Sequence, residues 1–320
     1  MLKDRLKAFF TAHWSYLAVN AACKLSLFDF LEDGAKSIAD IGQKKKLNKA
    51  ALAVLLQALT EMQFLTEKEG LYQLTEQARL LTEKHPESLK YACMNWAEEH
   101  LDAWQALDYT IKTGKSSFEN LHNQTFFDYL KHHPKKLHHY HLAMAEYARD
   151  DYKKLPYLID FSQHSSIMDV GGGYGTVLHL IQKEFTETNF ILFDLPDVVQ
   201  NCPYPALSKI GGNFLEHIPK VANAIILSRV LHDWESEKVL LILSQCYQAL
   251  PSQGTIYIIE NCKDLIDIDL SLLSLNMQLM CESHERSKAE YCALCNQVGF
   301  QYQNAIPLNQ LQTILIFKKL

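Results

Sequence analysis

The sequence predicts an α/β protein in which a helical N-terminal region precedes a mostly parallel sheet. In the first hundred residues, apolar side chains recur at helical spacing, as in the run LAVLLQAL. From Ser166 onward, short apolar strands alternate with helices, which is typical of a parallel sheet that is covered on both faces. A length of 320 residues is typical of two domains. We therefore expect domains at 1–100 and 101–320, the second opening with a helical segment at 101–160.

The composition indicates an ordinary globular protein. Hydrophobic residues make up 48% of the chain, enough for a sizeable core. The formal net charge of −6 argues against nucleic acid as the principal partner, because phosphate-binding surfaces need an excess of Lys and Arg. There is no apolar run of about 18 residues and no apolar core of a signal peptide. The eight scattered cysteines suggest reduced thiols, so we expect a cytoplasmic protein.

The first domain has the order of a winged helix. Helical segments are followed by two strand-like runs, FLTEK and GLYQLT, with a tight turn at EKEG. The basic run at 44–46 could dock such a domain on DNA, or it could form a solvated turn before the next helix. The acidic total charge favours the second interpretation.

The second domain alternates strands with helices, and the residues after each strand are candidates for a ligand site. Ligands of such sheets bind at the carboxyl ends of the strands. The predicted strands are SIMDVG, FILFDL, ALSKIGGNF, AIILSRV and TIYIIE, followed by FQYQNAI and QTILIFK, which could pair as a closing hairpin. Four helices are predicted between these strands. The first ends near Phe185, the second lies around PDVVQN, the third is ESEKVLLILSQCYQAL and the fourth runs from about Ser287 to Val298.

A glycine-rich turn follows the first of these strands. Its pattern is acid-x-Gly-x-Gly-x-Gly, at 169, 171, 173 and 175, and such glycines let a ligand touch the backbone. A dinucleotide fingerprint would require glycine at 176, where this chain has Thr, so that match fails. A tight turn with a purely structural role remains the alternative.

Asp194 ends the second strand. A carboxylate at that place can accept hydrogen bonds from both hydroxyls of a ribose. The same side chain could instead cap the helix that follows.

Six motifs in order resemble one known family. They are DVGGGYG, FDLPDVV, GGNF, LHDW, the isolated glutamate that ends IYIIE, and HERSKAEY. Together they resemble the S-adenosylmethionine (SAM)-dependent small-molecule O-methyltransferases of the plant caffeate and hydroxyindole type, which also have bacterial members. The resemblance covers the second domain closely and the first more loosely. It implies a Rossmann-like methyltransferase domain with a mostly parallel seven-stranded sheet whose last strand is antiparallel, a winged-helix-like dimerisation domain, and a homodimer.

The resemblance implies that SAM, which carries no phosphate, lies against the glycine turn. Gly171 and Gly173 would contact the cofactor, and Asp194 would hold its ribose. The set implied for cofactor binding is Gly171, Gly173, Asp194, Leu195, Asn213, Phe214, Ser228 and Arg229.

Two positions in this set depart from the family pattern. Asn213 stands where the family usually has Asp, so the adenine would meet an uncharged amide oxygen beside the apolar wall of Phe214. Ser228, with Arg229 beside it, stands where the family often has a Lys that meets the cofactor carboxylate. An uncompensated loss of a hydrogen bond to a charged group costs about 1.5–3 kcal/mol, or about 10- to 150-fold in affinity. These departures predict weakened cofactor binding.

His232, after the fourth strand, is the candidate general base. Methyl transfer to an oxygen requires removal of the hydroxyl proton, and imidazole titrates near neutral pH. The resemblance implies that Glu260 and Glu285 flank this ring, where a carboxylate fixes its tautomer. From the residues alone, the favoured interpretations are a solvated strand terminus for Glu260 and a charge near a helix N-terminus for Glu285. We expect Asp233 to cap the next helix and Trp234 to pack in the core.

Three methionines are candidates for the acceptor pocket. Met144 lies in HLAMAEYA, which resembles the family helix that closes over the acceptor. Met277 and Met280 share a helix face, a spacing that is as typical of a core as of a pocket. In the family, the partner subunit's N-terminal helix can reach the pocket, which would involve His13 or Trp14.

Two clusters resemble metal sites, and we expect no metal at either. In HHPKKLHHYH, Pro134 interrupts the histidines, which favours a solvated helix start. Near the C-terminus, Cys292 and Cys295 lie three apart on a predicted amphipathic helix, close in sequence to Cys281 and His284. No second well-spaced pair exists there, so buried thiols are the better interpretation.

The sequence thus predicts an enzyme that transfers a methyl group from SAM to a hydroxyl of a small aromatic or polyketide-like molecule. One alternative is a SAM-binding relative with N-methylation, C-methylation or hydroxylation chemistry, which the retained histidine and two acids argue against. The more distant alternative is a winged-helix DNA-binding ligand sensor, which the acidic composition disfavours. We expect neither nucleic acid nor membrane as a partner.

Overall fold

The computed structural model of the chain describes residues 1–265 and 270–320. These residues form two compact units, Met1–Glu99 and His100–Leu320. Within the described ranges, no helix is long and apolar enough to cross a membrane.

The first unit is mainly helical and contains a small three-stranded sheet. Its helices are α1 (Leu2–Phe10), α2 (His13–Lys24), α3 (Leu27–Leu31), α4 (Ile38–Lys45), α5 (Lys49–Glu61), α6 (Glu76–Arg79) and α7 (Lys90–Asn95). Its strands are β1 (Lys36–Ser37), β2 (Leu65–Lys68) and β3 (Leu71–Leu74), in the order β1-β3-β2 with antiparallel pairing. The predicted order of helices followed by a hairpin is confirmed.

Local signals in the sequence explain where α4 and α5 begin and end. Ser37 and Asp40 form a capping box at the start of α4, and the Asn48 side chain accepts a hydrogen bond from the amide of Ala51 at the start of α5. The basic run 44–46 covers the last residues of α4 and its left-handed C-cap. Positive charge there is favourable to the helix dipole, so the run has a structural explanation that does not involve DNA.

Helix α1 buries none of its side chains within its own unit. The exposed apolar residues of α1 and the start of α2 are Leu2, Leu6, Phe9, Phe10 and Trp14. A contiguous exposed apolar face of this kind is typical of a surface that meets another protein chain.

The second unit carries the large sheet. Its helices are α8 (Glu99–Gln105), which begins one residue before the unit, α9 (Leu107–Thr113), α10 (Ser117–His122), α11 (Phe126–His132), α12 (Pro134–Asp151), α13 (Leu155–Leu158), α14 (Thr176–Gln182), α15 (Pro196–Val199), α16 (Ser236–Ala249), α17 (Ser271–Cys281) and α18 (Lys288–Val298). Its strands are β4 (Ser166–Val170), β5 (Asn189–Asp194), β6 (Ser208–Gly211), β7 (Ala224–Ser228), β8 (Thr255–Asn261), β9 (Phe300–Pro307) and β10 (Gln312–Lys319).

The seven strands lie in the order β6-β5-β4-β7-β8-β10-β9. Strands β4 to β8 pair in parallel, whereas β10 is antiparallel to both of its neighbours, β8 and β9. The expected seven-stranded, mostly parallel sheet with an antiparallel last strand and a closing hairpin is confirmed.

Side chains of the central strands alternate between two buried clusters, one on each face of the sheet. Met168 belongs to the cluster that includes α16 and α18, whereas its neighbour Ile167 belongs to the cluster that includes α14. This alternation follows from the two-residue period of a strand. Because β4, β5, β7 and β8 are parallel and adjacent, their carboxyl ends meet at one edge, where the predicted site residues lie.

Candidate functional site

The turn between β4 and α14 brings bare backbone to the edge of the sheet. Gly171 and Gly173 adopt φ values of 73° and 58°, which disfavour any side chain. A Cβ at Gly171 would lie 2.9 Å from a methyl carbon of Val230, and one at Gly173 would lie 3.3 Å from Nδ1 of His141. Side chains of Val230, Phe214 and His141 therefore pack directly against the backbone of this turn, where a residue larger than glycine would clash.

Asp169, the acid before this turn, is completely buried. In the described part of the chain, neither of its carboxylate oxygens has a hydrogen-bond partner. Burial, and secondarily the charge of Asp194, raise the pKa of Asp169 to about 8. A buried carboxyl without a partner is unfavourable in the protein alone, so it marks a place where a polar ligand group fits.

Asp194 is tied to the glycine turn. Its Oδ2 accepts a hydrogen bond from the amide of Gly173 at 2.8 Å, and its Oδ1 accepts one from the amide of Leu195 at 2.7 Å. Burial raises the pKa of Asp194 to about 6, although the two backbone donors oppose the shift. Each oxygen keeps a lone pair for an outside donor.

Asn213 and Phe214 follow β6. The Asn213 Oδ1 accepts a hydrogen bond from the amide of Leu215 at 3.0 Å, and its Nδ2 donates to Glu216 at 2.9 Å. Phe214 lies beside the glycine turn, with its Cε1 3.4 Å from the position of a Cβ on Gly171. The aromatic wall is therefore in contact with the turn, whereas the amide of Asn213 is engaged locally.

Ser228 and Arg229 at the end of β7 have different partners. The Ser228 hydroxyl donates to the hydroxyl of the buried Tyr152 at 2.6 Å. The Arg229 guanidinium instead donates to two fully buried carboxylates, from Nη1 to Glu260 at 3.3 Å and from Nη2 to Glu285 at 3.0 Å.

His232 lies in a 3-10 turn, Leu231–Asp233, directly after this pair. Its Nδ1 is 3.2 Å from Oε1 of Glu285, while Oε1 of Glu260 accepts hydrogen bonds from the amides of Leu231 and His232. Burial and Arg229 lower the pKa of His232, but Asp233, Glu260 and Glu285 outweigh them and hold it above its ordinary value. The three predicted catalytic residues are thus brought together as one buried cluster.

The side-chain atoms of His232, Glu260 and Glu285 that could bind a metal ion lie within 4.8 Å of one another. Among the described residues, no other group of three or more side chains could hold a metal ion in this way. Arg229 supplies the positive charge that a metal ion would otherwise bring to this cluster, because its guanidinium donates to both carboxylates. Charge from Arg229, with some from His232, holds the pKa of Glu285 at about 2 against the effect of burial. We interpret the cluster as an ionic hydrogen-bond network around an imidazole.

Two family models match the chain. The O-methyltransferase domain matches residues 104–301, and the O-methyltransferase dimerisation domain matches residues 8–84. The chain belongs to the O-methyltransferase family. The predictions of a SAM-dependent O-methyltransferase, of SAM as cofactor and of the family itself are confirmed, and the dimerisation domain supports the predicted homodimer.

Individual relatives agree with this assignment. This O-methyltransferase is 27% identical over 317 residues to the phenazine O-methyltransferase PhzM of Lysobacter antibioticus, covering 96% of this chain and 93% of that protein. It is 32% identical over 262 residues to tabersonine 16-O-methyltransferase of Catharanthus roseus, covering 78% and 74%. The crystal structure of LaPhzM superimposes with a TM-score of 0.95 over the whole of both chains at 27% identity. Human N-acetylserotonin methyltransferase in complex with SAM shares the fold, with a TM-score of 0.90, 22% identity, and coverage of 100% of this chain and 98% of that one.

One expectation near His232, the candidate general base, is wrong. Asp233 does not cap the next helix, because the 3-10 turn delays the start of α16 to Ser236 and makes Glu235 the N-cap residue. The Asp233 carboxylate lies 3.5 Å from Nε2 of His232 instead. Trp234 is only partly buried and packs against the core, stacked on Phe127 with ring centroids 5.6 Å apart.

The three candidate methionines lie on two helices of the second unit. Met144 is half-buried on α12, and Met277 and Met280 are buried on α17. Met280 packs in an apolar cluster with Phe118 and Phe126. These positions do not by themselves distinguish a pocket lining from a core, so the acceptor role remains a proposal.

The histidine-rich segment forms hydrogen bonds within α11 and to Tyr174 of the glycine-rich turn. His132 and His133 bond to backbone carbonyl oxygens of α11, and Nδ1 of His138 is 2.7 Å from the hydroxyl of Tyr174. His141 is buried and stacks on Tyr174. Burial lowers the pKa of His141 to about 4, so this ring is neutral at physiological pH.

Sequence reasoning missed two groups that support the site. Arg286 is fully buried and donates to the carbonyl oxygens of Leu231 and Trp234, at 3.0 and 2.7 Å, which fixes the turn that carries His232. Its place directly after Glu285 was the available signal. Tyr152, the partner of Ser228, lies 76 residues away in sequence and carried no signal.

Proposed function

We propose that this O-methyltransferase transfers the methyl group of SAM to a hydroxyl of a small aromatic or polyketide-like acceptor, with His232 as general base. The observation that supports this most directly is the buried imidazole held 3.2 Å from Glu285 at the carboxyl edge of the sheet. The glycine turn and Asp194 lie at the same edge.

The residues at the sheet edge fit SAM. Bound there, SAM supplies an electrophilic methyl group on a sulfonium. Gly171 and Gly173 would bring backbone without side chains to the cofactor, and Asp194 offers two oxygens to the ribose hydroxyls. The buried carboxyl of Asp169, which lacks a partner within the described residues, suits a polar group of the methionine portion.

The remaining residues of the cofactor set would contact its other parts. Phe214 would form the adenine wall, and the second lone pair of the Asn213 amide oxygen could accept from the adenine amino group. Leu195 would lie beside the ribose. Ser228 offers only a neutral hydroxyl, whereas the Arg229 guanidinium next to it is directed to Glu260 and Glu285.

In the proposed reaction, Nε2 of His232 would accept the hydroxyl proton, so that the acceptor oxygen could take the methyl group as the S–CH3 bond breaks and the sulfonium leaves as a neutral thioether. The N–H on Nδ1 donates to Glu285, which fixes the tautomer that leaves the lone pair on Nε2, 3.5 Å from Asp233. The resulting imidazolium is stabilised by the same carboxylate. Glu260 holds the backbone of the turn through two amides.

The names of the relatives support an aromatic hydroxyl as the acceptor. They include 3-amino-4-hydroxybenzoate 4-O-methyltransferase of Streptomyces cremeus and caffeic acid 3-O-methyltransferases of plants. Met144, Met277 and Met280 are the proposed apolar lining. Trp14 is 64% exposed in the single chain, and we propose that it or His13 reaches the pocket of a partner subunit in the homodimer.

The test is methyl transfer by the purified protein to a panel of hydroxy-aromatic acceptors, beside matched amines. We expect transfer to at least one hydroxyl acceptor and a loss of about 10²-fold or more in kcat for His232→Ala. The exposed His284→Ala is a control that leaves the cluster intact. Equal turnover by the wild type and His232→Ala would remove the general base from the mechanism.

A further inference from the structure

Arg229 has an unusual backbone. Its φ is 54°, in the left-handed region that residues with a side chain rarely adopt. Its amide still donates to the carbonyl oxygen of Ile259 at 3.0 Å, so the chain remains tied to β8 at this residue. Strained residues of this kind persist where the surroundings hold them and cluster at functional sites.

The side chain of Arg229 joins the two catalytic acids. Nη1 lies 3.3 Å from Glu260 and 3.2 Å from Glu285, and Nη2 lies 3.0 Å from Glu285. With its amide oxygen facing Arg229, Asn261 accepts a further bond from Nη1 at 2.9 Å. Both carboxylate side chains are fully buried, so their charges would repel each other strongly without this guanidinium.

Both acids also form hydrogen bonds with His232. Oε1 of Glu285 receives Nη2 of Arg229 and lies 3.2 Å from Nδ1 of the imidazole. Glu260 presents Oε2 to Arg229 and Oε1 to the amides of Leu231 and His232. The guanidinium is therefore connected to the ring of His232 through one acid and to its backbone through the other.

We propose that Arg229 is a positioning residue that holds Glu260 and Glu285 together and thereby aims the His232 imidazole at the acceptor. This inference rests on the proposed role of His232 as general base. It differs from the resemblance-based role of Arg229 as a cofactor contact, because it places the effect on turnover rather than on cofactor affinity.

The test compares Arg229→Met and Arg229→Lys with Arg79→Gln, a partly exposed arginine of the first unit. Arg229→Met keeps much of the apolar stem but removes the charge, and we expect kcat to fall about 10²-fold, since misplacement of a catalytic group by 1 Å costs that much. Arg229→Lys keeps the charge but cannot bond both acids with the same fork, so kcat should fall about 10-fold. The dissociation constant of SAM, measured by calorimetry, should change less than threefold in both.

The pH profile gives a readout that a purely structural role would not move. The charged and titratable groups facing His232 are Arg229, Asp233, Glu260 and Glu285. Arg229 opposes protonation of the ring, whereas the three carboxylates favour it. The acidic limb of kcat/KM should therefore move to higher pH in Arg229→Met and stay near the wild-type position in Arg229→Lys.

Two results would overturn the proposal. One is a SAM dissociation constant raised tenfold or more with kcat unchanged, which would make Arg229 a cofactor contact. The other is wild-type kcat in Arg229→Lys, a result that remains decisive if circular dichroism shows Arg229→Met to be unfolded. His232→Ala in the same assay separates the two hypotheses. A loss in His232→Ala without a loss at Arg229 rejects only the positioning role, whereas unchanged turnover in His232→Ala rejects the general base.

Discussion

Asp194→Asn is expected to weaken SAM binding by about 10- to 150-fold. The two carboxylate oxygens accept from the amides of Gly173 and Leu195 at 2.8 and 2.7 Å. In the isosteric amide, either orientation places an NH2 group against one of these backbone donors. The NH2 group also cannot accept from a ribose hydroxyl, so the variant loses a cofactor hydrogen bond to a charged acceptor, which is worth about 1.5–3 kcal/mol, or about 10- to 150-fold in affinity.

Calorimetric titration with SAM measures this effect, with the exposed Asp197→Asn on α15 as a matched control. The wild-type protein should also bind SAM more weakly below about pH 6, because Asp194 has a pKa of about 6 and the protonated form has lost its charge. Equal affinities of Asp194→Asn and the wild type would refute the assignment of the ribose to Asp194.

Two further substitutions test the same site. In Glu285→Gln, kcat should fall about 10- to 150-fold because the imidazolium loses a charged partner. The acidic limb of the kcat/KM profile should also move to lower pH, because Glu285 raises the pKa of His232. An acidic limb at the wild-type pH would contradict the contact between Glu285 and His232. Gly171→Ala should weaken SAM binding and destabilise the fold by about 1–3 kcal/mol, because its Cβ would lie 2.9 Å from a Val230 methyl at a φ of 73°. Gly42→Ala, whose Cβ has its nearest neighbour at 3.7 Å, is the control, and equal melting temperatures would contradict the steric argument.

Much of the fold could be predicted from the sequence because each level of pattern pointed to the same structure. Apolar strands at regular spacing gave the parallel sheet, and the placement of sites at strand ends pointed to Asp194 and His232 before any contact was known. The closing hairpin was recognisable from two adjacent strand-like runs, FQYQNAI and QTILIFK.

Features that depend on long-range contacts or on local backbone geometry were not predictable in the same way. Nothing in the sequence indicated that the guanidinium of Arg229 would reach Glu260 and Glu285, 31 and 56 residues away. The incorrect N-cap at Asp233 combines a local ambiguity with a long-range contact. A short 3-10 turn and an α-helix can begin with the same residues, and a hydrogen bond to another strand decided between them.

Asn213 and Ser228, which depart from the family pattern, both have hydrogen-bond partners within the protein. Asn213 uses its amide oxygen and nitrogen to close the turn after β6, and Ser228 bonds to Tyr152. Neither supplies a charge to the cofactor. The calorimetric affinity of the wild type for SAM therefore also measures how far Asp194 and the glycine turn compensate.

The most direct test of the central claim compares two acceptors of different acidity in single-turnover methyl transfer. One carries an ordinary phenol, with a pKa of about 10, and the other a nitro-substituted phenol that is already ionised at the assay pH. If His232 removes the hydroxyl proton, His232→Ala loses about 10²-fold or more with the first acceptor and far less with the second. An equal loss with both acceptors would contradict the account, since His232 would then support the site without acting as its base.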